Sequence, residues 1–576
     1  VNRAIDSQSH AASKLETSRQ LLGISLEDYF HVGAFRNLIS RGHWTRFESS
    51  LEKATRTTLE LLDEYGAKAT FFTLGWVAEN LPELVREVAE RGHEVANSGF
   101  SHRGVADVGA DGLRDDLVRG HEAIERASRL APRGTRIPDW IRERDFWALD
   151  VVASLGYAYD ASFRPLGTDC RWQNERRYPF DYASAGLRLR ELPVPTARVG
   201  PLLVPIGGGN WLRQLPEPLV RRAIERWLKA GRAPFSLYLH VWELAQAQPR
   251  ITAASWLTSL RHYRNLDRTE RSLRHFLSQR SFVSYAEFLG LPPLSSDAPT
   301  SDVRAREAIT VHHEPTARAG QTAVSVVIPC FNEAASLPYL LNALKSTSRE
   351  LRLRYQLSYV FVDDGSSDDT WAVLQSITGA RPDCQVVRHS QNQGVAQAIL
   401  TGLAAARDEF VVSMDADCTY DPLQLTELLN ELEAGADLVT ASPYHPQGHV
   451  WNVAPWRLFL SRTLSLLYAW RLGASLHTYT ACFRAYRRSR FAGLALWHRG
   501  FLGTAEIMAR ALLGGLVVVE VPATLEARLL GQSKLRVLRT ITGHLRVLRQ
   551  VPRWRGANAL PVATAASEST SAAGAA

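Results

Sequence analysis

Apolar runs that stop at polar clusters set the rhythm of this chain. In the first half, Leu21 to Phe30 reads as a buried strand ending in acids, and Ala67 to Thr73 as another. Phe47 to Tyr65 between them has helical spacing. Pro82 to Arg91 reads as a helix with proline near its start and Gly92 closing it. The polar stretch Glu94 to His102 follows, and strand and helix go on alternating through Trp147 to Gly156 as far as Phe235 to His240. This order predicts a βα repeat with polar groups at strand ends, where such folds place their sites.

The second half repeats the rhythm. Val324 to Pro329 is a buried strand stopped by its proline, Cys330 to Glu333 a polar loop, and Ala334 to Ser346 a helix. Tyr359 to Asp363 is a strand, followed by a tight turn and a helix start that Ser367 or Asp368 can cap. Asn392 to Ala398 opens a helix leading to Phe410-Val411-Val412, and that run ends in Ser413-Met414-Asp415-Ala416-Asp417. Alternation along an extended chain puts Asp415 and Asp417 on one side, so both reach a single hard divalent cation. Strands alternating with helices imply a mostly parallel sheet with its crevice at the carboxyl ends. Three acidic loops therefore converge there: Glu333, Asp363 with Asp364, and Asp415 with Asp417.

Length and charge change this picture in two places. With 576 residues the chain exceeds one core, and length alone suggests about three or four domains. The segments expected are a flexible start (1–20), a first domain (21–290), a linker (291–322), a second domain (323–555) and a disordered tail (556–576). Five scattered cysteines give neither a disulfide framework nor zinc spacing and favour a reducing compartment. Val1 to Gln20 lacks the apolar core of a signal peptide. The best apolar stretch, Pro455 to Leu476, is broken by Arg457, Arg462 and Arg471, so a soluble or peripheral protein is expected. The net charge of +8 sits mainly late in the chain: Leu529 to Arg555 holds no acid, and Leu535, Leu538, Ile541, Leu545 and Leu548 recur at helical spacing. Such a helix lies on anionic lipid or packs on its own domain with a solvated basic face, and the sequence leaves both open. No recognition motif accompanies the charge, so nucleic acid is not an expected partner.

Residues 21–290 resemble the NodB-type polysaccharide deacetylases, closest to the subgroup of bacterial exopolysaccharide clusters. The resemblance rests on Glu27–Phe30, Lys68–Glu94, Leu239–Glu243 and Arg261–Glu270. It implies a distorted (β/α) barrel that removes acetyl groups with a divalent metal. The chemistry departs from that pattern. Ser25 stands where the family has its base Asp, with Asp28 left as the remaining acid; the family's His-x-x-x-His reads Ser98-x-x-x-His102. Arg136 survives from the third motif, and His240 takes the place of the general-acid histidine. A hydroxyl is a poor base and a poor zinc ligand, so a zinc-like ion and hydrolysis are not expected here. A glycan-binding pocket, an active deacetylase and a non-catalytic glycan scaffold stand as alternatives.

Residues 323–555 resemble family 2 glycosyltransferases of GT-A fold, nearest the dolichol- and polyprenyl-phosphate mannosyl- and glucosyltransferases. The resemblance implies that Pro329, Phe331 and Glu333 hold the donor nucleotide, that Val362 and Asp364 contact its base and ribose, and that Asp415, Ala416 and Asp417 hold Mg or Mn and the diphosphate. Arg528 and Lys534, in the phrase Arg528 to Leu535, would bind phosphate oxygens. Pro443 replaces an Arg usual in that branch, with Arg457 or Arg462 near enough to compensate. Inverting transfer from a nucleotide sugar to a polyprenyl phosphate or a glycan follows. A hydroxyl acceptor would need a base, and Asp421 is nearest by position. Cytoplasmic, envelope-related work at the inner face of the membrane is the expected setting.

Overall fold

The computed structural model describes residues 19–167, 169, 174–293, 321–378, 381–453, 455–531 and 537–554. The expected linker and both termini fall largely or wholly outside them, as does Lys534. The chain forms two compact units. The first comprises Val1–Trp44, Ser49–Gln248 and Ser255–Thr310; the second comprises Thr45–Glu48, Pro249–Ala254 and Val311–Ala576. The α/β class expected of both halves is what the structure shows.

In the first unit, strand Arg19–Leu26 is flanked by Ser236–His240 on one side and Thr70–Thr73 on the other, all parallel. The sheet continues through Glu94–Asn97, Gly134–Thr135 and Tyr159–Asp160, and ends in the antiparallel pair Leu187–Glu191 and Phe180–Ser184. Leu22, Ile24 and Leu26 are fully buried against Leu59, Leu62, Phe71 and Leu239. Fully burying one such side chain contributes roughly 1.5–3 kcal/mol, which fixes the strand's register and so the direction of the residues at its end.

The first strand ends at Leu26, four residues before the apolar pattern does. Glu27 to Phe30 leave the sheet and turn toward the helix Leu51–Glu64. Asp28 is consumed there: its carboxylate accepts from Tyr29 N, Ser50 N and the hydroxyls of Ser49 and Ser50, at 2.8–3.0 Å. It ties the chain just ahead of that helix.

The second unit has a seven-stranded sheet in the order 384–388, 355–363, 322–330, 410–413, 484–487, 438–442, 518–522. Only Arg484–Arg487 runs antiparallel to its neighbours. Strand Thr322–Cys330 passes through Pro329 rather than stopping at it. Its pairing with Phe410–Ser413 ends at Val327, so the donor that proline lacks faces no partner strand on that side. The helix expected at 334–346 is Leu337–Leu351.

Of the two settings left open for the basic helix near the end of the chain, the structure shows packing on its own unit. In Val537–Gln550, His544, Val547 and Leu548 are buried, and His544 Nδ1 lies 2.9 Å from the Tyr468 hydroxyl. That helix packs on its own unit with Arg546 and Arg549 outward. Helix Pro455–Leu472 instead buries Ser465 and Tyr468 and turns Trp456, Phe459, Leu466 and Trp470 outward, each between 52% and 80% exposed. No helix among the described residues is long and apolar enough to cross a membrane.

Candidate functional site

The second unit holds a cleft of about 1180 Å³ at the carboxyl ends of its parallel strands. Pro329, Phe331, Glu333, Asp364, Asp415, Ala416, Asp417 and Arg528 all line it. Met414 and Ala416 are buried while Asp415 and Asp417 keep partial access, the alternation an extended strand end imposes. Asp417 Oδ1 accepts from Thr419 N at 3.1 Å, a local turn that fixes the carboxylate. Burial first, and then the neighbouring charge of Asp417, push the Asp415 carboxyl up to about 7. A partly exposed carboxylate pair in which the Asp415 charge is opposed by burial and by its own neighbour is a donor set short of positive charge.

Arg528 supplies part of it. Its guanidinium pairs with Glu333, reaches the Ser336 hydroxyl at 3.3 Å and lies 3.7 Å from Asp417. Gly531, at φ +75°, leaves room for that side chain: a Cβ there would stand 2.7 Å from the Arg528 guanidinium. The spacing Arg528-x-x-Gly531 is thus a steric pair. Among the described residues no group of three or more His, Cys, Asp or Glu is arranged to hold a metal. Two carboxylates fit the needs of a cation that keeps waters and takes its remaining ligands from substrate phosphates.

Two expected residues sit elsewhere, and a third is on the cleft wall with its carboxylate already engaged. Val362 is fully buried in the core behind the strand, with no place on the cleft wall, because the strand's alternation turns it inward. Asp421 caps the short helical turn Pro422–Gln424, accepting from Leu423 N at 3.0 Å, and does not line the cleft. Asp364 lines the cleft but spends its carboxylate on the backbone: it accepts from Gln393 N and Gly394 N at 2.8 and 2.7 Å and lies 2.7 Å from His389 Nδ1. It builds the wall. Arg457, a suggested replacement for the Arg lost at Pro443, does line the cleft, and Arg462 instead sits over the Tyr444 ring. Arg499, Phe501 and Glu526 also line it, and no motif in the sequence marked them.

In the first unit a pocket of about 400 Å³ opens at the ends of Arg19–Leu26 and Ser236–His240. His102 and His240 reach it as expected, but the acid between them is Glu27. His102 Nε2 is 3.1 Å from one Glu27 oxygen, and His240 Nε2 is 3.4 Å from the other. Burial opposes the Glu27 charge, yet His102 and then His240 hold its carboxyl down to about 2. Burial likewise opposes a charged His102, and Glu27 outweighs it, raising the imidazole. His240 Nδ1 continues the chain to Glu243 at 3.1 Å, and Glu243 lies 3.5 Å from Arg213.

The other expected members of this site are used up in structure. Ser25 is buried within its strand, and the Ser98 hydroxyl donates to the Arg136 carbonyl oxygen at 2.8 Å. Arg136 is buried beneath the sheet, its guanidinium 3.9 Å over the Phe72 ring and 2.9 Å from the Tyr285 hydroxyl. Asp28 serves the helix start. Sequence reasoning missed Glu27 by one position, and the usable signal was its place two residues after Ser25.

Comparison with known proteins follows these two units. The family model Polysaccharide deacetylase matches residues 42–159, Domain of unknown function (DUF3473) matches 161–290, and Glycosyl transferase family 2 matches 325–494. A polyprenol monophosphomannose synthase of Mycolicibacterium smegmatis is 35% identical over 36% of this chain and 80% of its own. An undecaprenyl-phosphate 4-deoxy-4-formamido-L-arabinose transferase of Pseudomonas paraeruginosa is 35% identical over 29% of this chain and 47% of its own, so the chain spans about half of that relative. The solved glucosyl-3-phosphoglycerate synthase of Mycobacterium tuberculosis with Mn2+, uridine diphosphate and glucosyl-3-phosphoglycerate aligns at TM-score 0.30 and 22% identity, over 41% of this chain and 78% of that one. The first half is thus polysaccharide deacetylase-like, and through its second half this chain belongs to glycosyl transferase family 2.

Proposed function

We propose that the second unit transfers a sugar, with inversion, from a nucleoside-diphosphate donor to a polyprenyl phosphate at a membrane surface. The observation that carries this reading is the Asp415/Asp417 pair at a strand end, with Arg528 3.7 Å from Asp417, in a cleft large enough for donor and acceptor groups together. Asp415 and Asp417 would hold Mg or Mn, which when bound neutralises the leaving diphosphate. Glu333 and the Asp364-braced loop shape the nucleotide end, while Arg528 offers its fork to phosphate oxygens. The acceptor oxygen forms its bond to the anomeric carbon as the carbon–oxygen bond to the diphosphate breaks, and the electron pair leaves on the diphosphate. An acceptor phosphate is already ionised near pH 7, so no protein base is required. This suits a cleft in which Asp421 is occupied as a cap.

Helix Pro455–Leu472 supports the lipid acceptor. Trp456, Phe459, Leu466 and Trp470 form one outward stripe, and the helix carries three arginines and no acid. An apolar stripe with tryptophans and basic flanks suits the headgroup layer of an anionic bilayer. Arg457 of the same helix also lines the cleft. The relatives named for polyprenol and undecaprenyl phosphate support this acceptor class, and envelope glycan synthesis at the inner face of a cytoplasmic membrane is the setting we propose.

A panel of nucleotide sugars, assayed with and without polyprenyl phosphate and Mg or Mn, tests the reading through released nucleoside diphosphate. Acceptor-dependent release is expected, falling at least ~10²-fold in Asp415→Ala and Asp417→Ala. Equal release by these variants would sink it. Glu526→Gln, the loss of another cleft carboxylate, is expected to leave transfer to polyprenyl phosphate unchanged, and a large loss would contradict transfer without a protein base.

A further inference from the structure

The pocket of the first unit does not fit the metal that a deacetylase-like fold implies. Both Glu27 oxygens already face imidazoles, at 3.1 and 3.4 Å. Ser98 donates its hydroxyl to a backbone carbonyl, and Asp28 accepts four hydrogen bonds ahead of a helix. Glu27, His102 and His240 meet there bound to one another, and among the described residues no group of three or more His, Cys, Asp or Glu is arranged to hold a metal. A cation would have to displace an imidazole from a buried carboxylate, and a buried acid already paired gains little from the exchange.

What remains is a pocket built for a polar ligand with an apolar face. Trp242 stacks on His262, ring centroids 4.1 Å apart at 9°, and lies against His240 at 5.7 Å. Trp140, also in the lining, meets Tyr238 edge-on at 4.7 Å. Trp140 and its neighbour Asp139 both hold left-handed backbone, at φ 64° and 65°. Two consecutive non-glycine residues in that region cost free energy, and surrounding structure must hold them there. Arg36 holds the Asp139 carboxylate at 2.9 Å, and Gly33 and Gly104 leave the room for it: a Cβ on either would stand within 2.9 Å of that carboxylate. The result sets a tryptophan on the pocket wall beside the donors of Arg164 and Arg261 and the acceptor of Asp139. A sugar ring presents this same combination, hydroxyls around the edge and a C–H face for an indole.

We propose that this pocket is a metal-independent saccharide-binding site, with His102 standing on Glu27 where the fold's cation would be, and that it recognises glycan without hydrolysing it. The site lies beyond the sugar-transfer reading and does not rest on it.

The test uses the full chain, stripped of divalent ions by dialysis against a chelator. Its tryptophan fluorescence is titrated with three probes: an N-acetylglucosamine tetrasaccharide, a neutral glucose tetrasaccharide and a uronic-acid tetrasaccharide. At least one is expected to bind with the same affinity in EDTA and in added zinc, with no acetate released. Trp140→Ala should weaken that binding at least tenfold, and His240→Gln provides the second variant should Trp140→Ala not fold; both should leave nucleoside diphosphate release unchanged. Zinc-dependent binding, acetate release, or silence with all three probes would each overturn the proposal. Failure of sugar transfer appears only in the diphosphate assay, so the two readings fail separately.

Discussion

Each unit ends a buried parallel strand in acids, and the two endings resolve their charge in opposite ways. At Glu27 the carboxylate has collected two histidines, and its carboxyl is held down to about 2. At Asp415 burial, and then the neighbouring charge of Asp417, push the carboxyl up to about 7. One strand end is satisfied by the protein itself; the other waits for positive charge from outside. Electrostatic strain thus marks which strand end of this chain still has a ligand to receive.

The contrast breaks first on stability. Removing His102 leaves Glu27 buried with its strongest partner gone, so His102→Ala should destabilise the first unit by about 3–5 kcal/mol in urea melts. Asp415→Asn should do the reverse, raising the melting temperature of cation-free protein by roughly a few degrees while abolishing transfer. A destabilised Asp415→Asn would mean that the two aspartates are not in conflict.

The pH response separates the units next. The folded Asp415 carboxyl titrates near 7 against an ordinary 3.8, so the folded state holds the extra proton between those values. Cation-free stability should fall as pH rises across that window, and Mg or Mn affinity, which needs the ionised carboxyl, should rise across it. Glu27 works the other way. Its ionisation stabilises fully above 4.5, and that contribution disappears as pH falls toward 2. Calorimetry across pH 2–8, with and without Mn, reads both trends; a Mn affinity flat across pH 5–8 would contradict the assignment at Asp415.

The smallest effect concerns Gly531. Its left-handed backbone and its distance to Arg528 predict that Gly531→Ala costs about 1 kcal/mol locally and lowers kcat/KM for the donor a few-fold. An unchanged kcat/KM would show that Arg528 is not held by that turn.

Much of this arrangement was legible in the residues. Period-two spacing places Asp415 and Asp417 together whatever lies around them, and apolar runs of four to nine residues located the parallel strands. What stayed hidden depended on where a strand ends and which face a side chain takes. Leu21 to Phe30 reads as one strand, but it leaves the sheet at Leu26, so the pocket acid is Glu27 rather than Asp28. Val362 sits beside acids in the chain and faces the core in the fold. Arg136 and Asp421 carry suitable chemistry, yet one lies beneath a sheet and the other caps a turn. Arg499 and Glu526 reach the cleft from loops with no periodicity to announce them. Likewise, the basic helix near the end of the chain and Pro455–Leu472 both have helical spacing, and only packing shows which apolar face stays open.

That open face bears on how the enzyme would encounter its acceptor. With Arg457 on the cleft wall and the Trp456–Trp470 stripe on the same helix, docking on a bilayer turns the search for a lipid phosphate into diffusion in two dimensions. Velocity would then follow the mole fraction of acceptor within the membrane, and diluting that lipid with inert phospholipid would slow the reaction even at constant total acceptor.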